Sequence, residues 1–325
     1  MSSTRLTIQI VVPRAAGRRS GNRVTAKRWR RLLRSMGHVV EIVDGYDGQD
    51  CDVLVAVHAH KTARSALRYV REVPDGRLVV ALSGTDLYRD LATSVSGQQV
   101  LEVAHRIGLL QEHGKTLLER RLHKKCHVIH QSVVSPRTIP GKIRRWWQVA
   151  LIGHLRPVKD PFLLPRAVSE LPADSRIRVV HLGGALSERM RSRAEAEMAR
   201  RPDRYRWLGR RPHWQVMRVL ARSRLMVLTS HMEGGANVVG ESITAGTPVL
   251  STRISGSIGL LGADYPGFFG AGDAQELRRQ LLEAERQGEF YDAISARCAA
   301  LRSVFAPRRE CREWERLLKG VSGDR

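Results

Sequence analysis

Residues 224–252 read RLMVLTSHMEGGANVVGESITAGTPVLST. The apolar run LMVL breaks at two glycines and an asparagine, resumes with helical character, and closes on a second apolar run, PVLST. Glu233 and Glu241 bracket the break with seven residues between them. Glycine reaches positive φ and lets the main chain approach a ligand closely. Asn237 suits a helix cap, and uncapped amides at a helix start attract anions. Gly234, Gly235, Ala236, Asn237 and Val238 therefore form a candidate cradle for a diphosphate. A carboxylate one turn into that helix is awkward beside phosphate unless it serves another group, such as vicinal ribose hydroxyls; Glu241 stands there. Glu233, at the strand end, faces the part of a ligand beyond the phosphates. The alternative is a glycine-rich loop with two solvated glutamates.

The rest of the chain repeats the same grammar. RLTIQIVVP, HVVEIVD, CDVLVAVHAH, RLVVALSG, RIGLLQ and CHVIHQS read as strands, with helical spacing over 25–36 and 61–70 between them. The second half adds WQVALIG, IRVVHLGG, RYRWLG, RLMVLTS and TPVLST, with helices near 162–171, 187–200 and 213–222. Alternation of strands with helices implies βαβ units and parallel sheets. At 325 residues the chain exceeds what one hydrophobic core sustains. The expected class is α/β, two doubly wound domains with a cleft between them. SPRTIPGKIRRWW (135–147) has linker chemistry, which sets expected domains at 1–143 and 144–307, with a last helix, 308–325, crossing back onto the first. Ligands in such sheets bind beyond the carboxyl ends of the strands.

Composition narrows the function classes. The net charge is +23, and arginine supplies 47 of the 55 basic residues, a skew that GC-rich coding also produces. Residues 1–40 hold ten basic side chains and no acidic one, a positive field that concentrates anions. Aromatics are 5% and do not interleave with the basic runs, so no base-stacking platform is visible; a non-catalytic nucleic-acid or membrane-surface binder is the remote alternative. No run approaches the roughly 20 apolar residues of a membrane span. The N-terminal MSSTRLTIQIVVP reads as a strand rather than a signal peptide. Cys51, Cys126, Cys298 and Cys311 form no CxxC pair, which fits a cytoplasmic protein without a zinc site.

The stretch carboxylate–GG–Asn–helix–carboxylate–AGTPV resembles the E-x7-E signature of retaining glycosyltransferases of the GT-B fold, family 4-like, over residues 147–272. The resemblance implies that Glu241 grips the nucleotide ribose, that the amides from Gly234 to Val238 hold the diphosphate, and that Glu233 contacts the transferred sugar. GHLRPVKD (153–160) resembles the family's Gly-Arg-Leu-x3-Lys element, whose cations neutralise the leaving diphosphate. Gly153 and Lys159 match; His154 occupies the usual arginine position, and Arg156 lies two residues on. Glu233, Arg156 and Lys159 are the expected catalytic set. Gly209 and Arg210, in RYRWLGRRP, sit where the nucleobase pocket begins.

The first half is expected to hold the acceptor. PRAAGRRSGNRVTAKRW (13–29) offers Gly17, Arg18, Arg19, Gly21, Asn22 and Arg23 ahead of a helix, suiting a small anion; a solvated charged face is the alternative. HAHKTA brings His58, His60 and Lys61 to a strand end, and LSGTDLYRD brings Thr85, Asp86 and Arg89. No acidic or thiol ligand joins the two histidines at metal spacing. Where many relatives of the family carry an acceptor-side histidine, this sequence has residues 83–86. Taken together, GNRVTAKRW, DVLVAVHAHKTA, SGTDLYRDL and VIHQS resemble one branch of this superfamily, the selenosugar synthases of selenoneine biosynthesis. That implies a UDP-sugar (UDP-N-acetylglucosamine or UDP-glucose) meeting selenophosphate, with a carbon–selenium bond formed at the anomeric carbon and UDP and phosphate lost. Arg18, Arg19, Arg23, Lys61 and Arg89 would hold the two anions. The ionised selenium needs no general base, and with amides and cations to take a metal's place no metal or other cofactor is expected. The alternative is an ordinary UDP-sugar glycosyltransferase with a hydroxyl or thiol acceptor.

Overall fold

The computed structural model describes residues 5–14, 21–135 and 138–322. The chain divides into two compact units, one running to Gln131 and resuming at Pro307, the other spanning Ser132–Ala306. Every strand pair in both sheets is parallel.

The first unit contains β1 (Thr7–Val11), α1 (Gly21–Ser35), β2 (Val39–Val43), β3 (Val53–Val57), α2 (Ala59–Glu72), β4 (Arg77–Ala81), α3 (Val95–Val103), β5 (Arg106–Leu109) and β6 (Cys126–Val128). The sheet order is β2-β1-β3-β4-β5-β6. The central strand β3 is apolar at every position because both sheet faces are covered. In β3, Val53, Val55 and Val57 join the core that contains Trp29 and Leu33 of α1. Leu54 and Ala56 turn the other way and pack with Ala63, Ala66 and Tyr69 of α2. This is the two-residue side-chain period of a strand written into two cores.

The second unit runs β7 (Trp147–Ile152), α4 (Leu163–Ser169), β8 (Ile177–Leu182), α5 (Glu188–Arg200), β9 (Tyr205–Trp207), α6 (His213–Arg222), β10 (Leu225–Leu228), α7 (Asn237–Thr244), β11 (Val249–Thr252), α8 (Ser255–Leu261), β12 (Phe268–Phe269), α9 (Ala274–Glu285) and α10 (Glu289–Ala300). Its sheet order is β12-β11-β10-β7-β8-β9. The chain builds outward from β7 through β8 and β9, then crosses to the other side of β7 to add β10. That reversal leaves a crevice at the carboxyl ends of β7 and β10, where open α/β sheets bind ligands.

The passage between units falls at Gln131–Ser132 rather than at 143–144. The linker-like segment is tied to the second unit by backbone bonds: Val133 N donates to Phe305 O at 2.9 Å and Ile143 N to Arg222 O at 3.0 Å. Lys142 Nζ also donates to Gly246 O and Thr247 Oγ1. The last helix, α11 (Pro307–Ser322), packs on the first unit. Trp314, Leu317 and Leu318 are buried there, and Trp314 meets Trp29 edge-to-face at 5.1 Å. Trp29 Nε1 donates to the fully buried Glu310, and His130 N and Nδ1 lie at 2.7 and 2.9 Å from the Glu313 carboxylate.

Candidate functional site

The loops after β7 and β10 interlock at the crevice of the second unit. His231 N donates to Val158 O at 2.9 Å, and Thr229 Oγ1 donates to Lys159 O at 2.7 Å. These bonds bring Lys159 to Glu233, and the two side chains form an ion pair. Ser230 Oγ donates to the same Glu233 oxygen at 2.6 Å. Behind it, α8 presses close: a Cβ on Gly256 would stand 1.9 Å from Glu233 O. Glycine at 256 is therefore a steric condition for the placement of Glu233.

Helix α7 begins one residue earlier than the sequence suggested. Ala236, not Asn237, is the N-cap, and its own side chain makes no cap hydrogen bond. The first-turn amides thus face the crevice uncapped by the chain's own N-cap side chain, the arrangement that favours an anion. The positive-φ glycines of this unit are Gly209, Gly246, Gly262 and Gly272. Gly234 and Gly235 are not among them, so neither position requires a left-handed backbone. Glu241 lies in α7 and its Oε1 is 2.9 Å from His213 Nε2, at the start of α6. The hydrogen bond that His213 donates to the Glu241 carboxylate raises the His213 pKa above its ordinary value.

The floor is set by β7 and β8. Gly153 N donates to Leu182 O, and a Cβ on Gly183 would fall 1.7 Å from Gly153 O. His181 is fully buried; its Nε2 lies 2.9 Å from Gly153 O and its Nδ1 2.8 Å from Tyr205 Oη. Burial pushes His181 down to about 4, so the ring is neutral, donating from Nε2 and accepting the tyrosine proton at Nδ1. His154 accepts Gly184 N–H at Nδ1. Desolvation, then the charges of Arg210, Lys159 and Arg156, lowers its pKa, so the position where the resemblance expects arginine holds a neutral imidazole among three cations. Arg156 is exposed at the start of the Pro157–Lys159 turn. Gly209, at φ 67°, accepts Gly183 N–H at 2.9 Å through its carbonyl, and Arg210 follows it.

The first unit gathers its candidates differently. β3 ends at Val57, and α2 starts at Ala59, so His58 and His60 do not alternate on a strand. His58 is the helix N-cap, at φ 83° and fully buried. Asp86 is also fully buried, and its carboxylate accepts the Ala59 and His60 amides at 2.6 and 3.3 Å. It satisfies the amides of the α2 N-terminus, which corrects its placement as an open acceptor contact. The π-turn Asp86–Asp90 sets Asp86 Oδ1 3.1 Å from His58 Nδ1 and Asp90 Oδ2 3.3 Å from His58 Nε2. Thr85 Oγ1 is 3.4 Å from His58 Nε2, His60 Nδ1 is 2.7 Å from Ser94 Oγ, and Lys61 Nζ is 4.0 Å from Asp90. Arg89 donates to Asp90 at 2.7 Å, and that bond holds the Asp90 carboxyl below the usual range. Arg23 pairs with Asp44 at 2.5 Å, while Gly21 and Asn22 open α1. Gly17, Arg18 and Arg19 lie outside the described residues. An open cavity of about 1010 Å3 adjoins Lys61, with Arg14, Arg64 and Arg71 on its wall. Among the described residues no three His, Cys, Asp or Glu side chains cluster to hold a metal ion.

Solved structures share this architecture end to end. Sucrose-phosphate synthase of Thermosynechococcus elongatus aligns with a TM-score of 0.80 over 99% of this chain and 100% of that one, at 12% identity. The Anabaena HepE protein in complex with UDP aligns with a TM-score of 0.74 over 97% of this chain and 100% of that one, at 15% identity. The fold is GT-B. Residues 141–298, which carry the crevice of this GT-B chain, match the family described as glycosyl transferases group 1. Two curated proteins named D-inositol 3-phosphate glycosyltransferase are each 30% identical: that of Corynebacterium glutamicum (strain R) over 114 residues and that of Nocardia farcinica over 158. These matches take in 33% and 42% of the chain and only 27% and 35% of the relatives' own lengths. Among the described residues no helix is long and apolar enough to cross a membrane.

Side chains that the sequence did not single out complete the crevice: Thr229, Ser230, His213, Gly183 and Gly256. Ser230 and Gly256 carried a faint signal, a hydroxyl and a glycine next to apolar strands, but nothing local tied either to Glu233.

Proposed function

We propose that the protein is a UDP-sugar glycosyltransferase whose donor sits at the crevice between β7 and β10. One observation carries this reading: the Lys159–Glu233 pair stands beside the start of α7, with Glu241 one turn further on. A diphosphate placed on those amides would find Lys159, Arg156 and Arg210 as counter-charges, and stabilising a leaving diphosphate is the main electrostatic demand of the reaction. Glu241 takes the ribose hydroxyls and Glu233 the transferred sugar. The match of residues 141–298 to group 1 glycosyl transferases and the UDP held by the Anabaena relative support the same assignment. With amides and cations to neutralise the diphosphate, the reaction is expected to run without a metal.

For the acceptor we propose selenophosphate, on the resemblance of the four first-unit segments. Selenium attacks the anomeric carbon of UDP-N-acetylglucosamine or UDP-glucose, the bond to the UDP oxygen breaks, and water then cleaves phosphorus from selenium, leaving a 1-selenosugar, UDP and phosphate. The cations beside Lys61 suit a small, multiply charged nucleophile. A second reading, a phosphorylated polyol acceptor, is favoured by the inositol 3-phosphate in the names of the two curated relatives. Purified protein given UDP-sugar and either selenophosphate or inositol 3-phosphate separates them. UDP release with a selenosugar mass supports the first, and turnover with the polyol alone overturns it.

A further inference from the structure

The opposite end of the second sheet gathers a group of arginine side chains. Arg145 and Trp146 lead into β7, Arg176 and Arg178 stand at the start of β8, and Arg204 precedes β9, so these side chains meet at the amino ends of the strands, away from the crevice. With Arg201 they line a cavity of about 520 Å3, to which Asp174 and Asp203 contribute the carboxylates. Like charges gathered this closely repel one another unless a counter-ion joins them. Some are engaged locally: Arg204 donates to Ser175 O and Pro172 O, and Arg176 to Arg144 O. The guanidinium groups of Arg145, Arg178 and Arg201 make no hydrogen bond or ion pair among the described residues. The first two lie over the Trp146 ring, at 5.6 and 5.1 Å from its centroid. Trp146 Nε1 is buried and has no hydrogen-bond partner. A buried donor left unmade costs stability.

We propose that this arginine-lined cavity binds a soluble anion bearing several phosphoryl groups, with Arg145, Arg178 and Arg201 as its ligands and Trp146 beneath them. The volume falls in the range of small-molecule pockets and exceeds what a single phosphate fills. Planar guanidinium forks match phosphoryl oxygens bidentately. A bilayer surface fits less well, because none of the large exposed apolar side chains lines this cavity. The site is independent of the donor assignment, so either can fail alone.

Tripolyphosphate titrated into the full chain, read by tryptophan emission and by the shift of the thermal midpoint, tests this. A ligand that binds only the folded state raises that midpoint. Arg145→Ser/Arg178→Ser is expected to weaken tripolyphosphate by at least about tenfold, the loss of two charge-assisted contacts. Lys159→Ala, in the donor crevice, leaves that affinity within about twofold, because sites this far from shared partners act additively. Trp146→Phe removes the emission change, and Arg201→Ser, a single exposed change, guards against a misfolded double variant by weakening binding on its own. The reverse pattern, loss with Lys159→Ala and none with the arginine variants, overturns the proposal. So does binding to phosphatidylglycerol vesicles that needs Arg145 and Arg178 and that tripolyphosphate does not displace.

Discussion

Lys159 and Glu233 are ion-paired across the two loops that the sheet order brings together, and Ser230 completes the contact on the same carboxylate oxygen. A cation and an anion proposed to meet different parts of a donor are thus each other's partners. Lys159→Ala is expected to lower turnover on the order of 100-fold, the scale of losing one charge-stabilising group. Glu233→Ala should lower turnover more than UDP affinity; equal losses, by steady-state kinetics and calorimetry, would remove its sugar-facing role.

Glu241 is held by His213. Glu241→Ala is expected to weaken UDP about tenfold or more, as removal of a hydrogen bond to a charged group does, and unchanged calorimetric affinity would refute the ribose assignment. The pair also carries a pH signature. Because His213 is raised by Glu241, its contribution to stability is complete below the unfolded value near 6.5 and fades as pH rises through the folded value. His213→Ala should flatten that part of the stability profile.

Gly256 lies so close to Glu233 O that a methyl group cannot be accommodated without moving backbone. Gly256→Ala is expected to displace the 230–236 loop, lowering UDP-sugar turnover by about tenfold or more, since small misplacements at a reacting centre are costly. Far-ultraviolet circular dichroism should stay near wild type. Full activity would mean the loop yields without consequence.

His181 gives a second titration of opposite sense. Its pKa is depressed to about 4 by burial, so below pH 6.5 the unfolded chain takes up a proton that the folded chain refuses. Stability should fall as pH drops from 6.5 toward 4, by up to roughly 3 kcal/mol. Denaturant unfolding across that range checks it, and His181→Gln should remove this part of the slope whatever its effect at neutral pH.

The parallel α/β class, the strand runs from β1 to β11 and the glycine break between β10 and α7 are all legible in the sequence. Those features are local, set by side-chain period and by residues a few positions apart. It missed β12, whose two residues are too short to show any alternation, and it put His58 and His60 on a strand that ends at Val57. The side-chain partners follow from packing instead. Lys159 and Glu233 are 74 residues apart, and they meet because the chain returns to lay β10 beside β7. Asp86 enters the start of α2 from 27 residues away, which turns an expected anion contact into a structural cap. Ion pairs and caps depend on which strand ends are neighbours, and strand order is a property of the packed sheet that no short window of sequence contains.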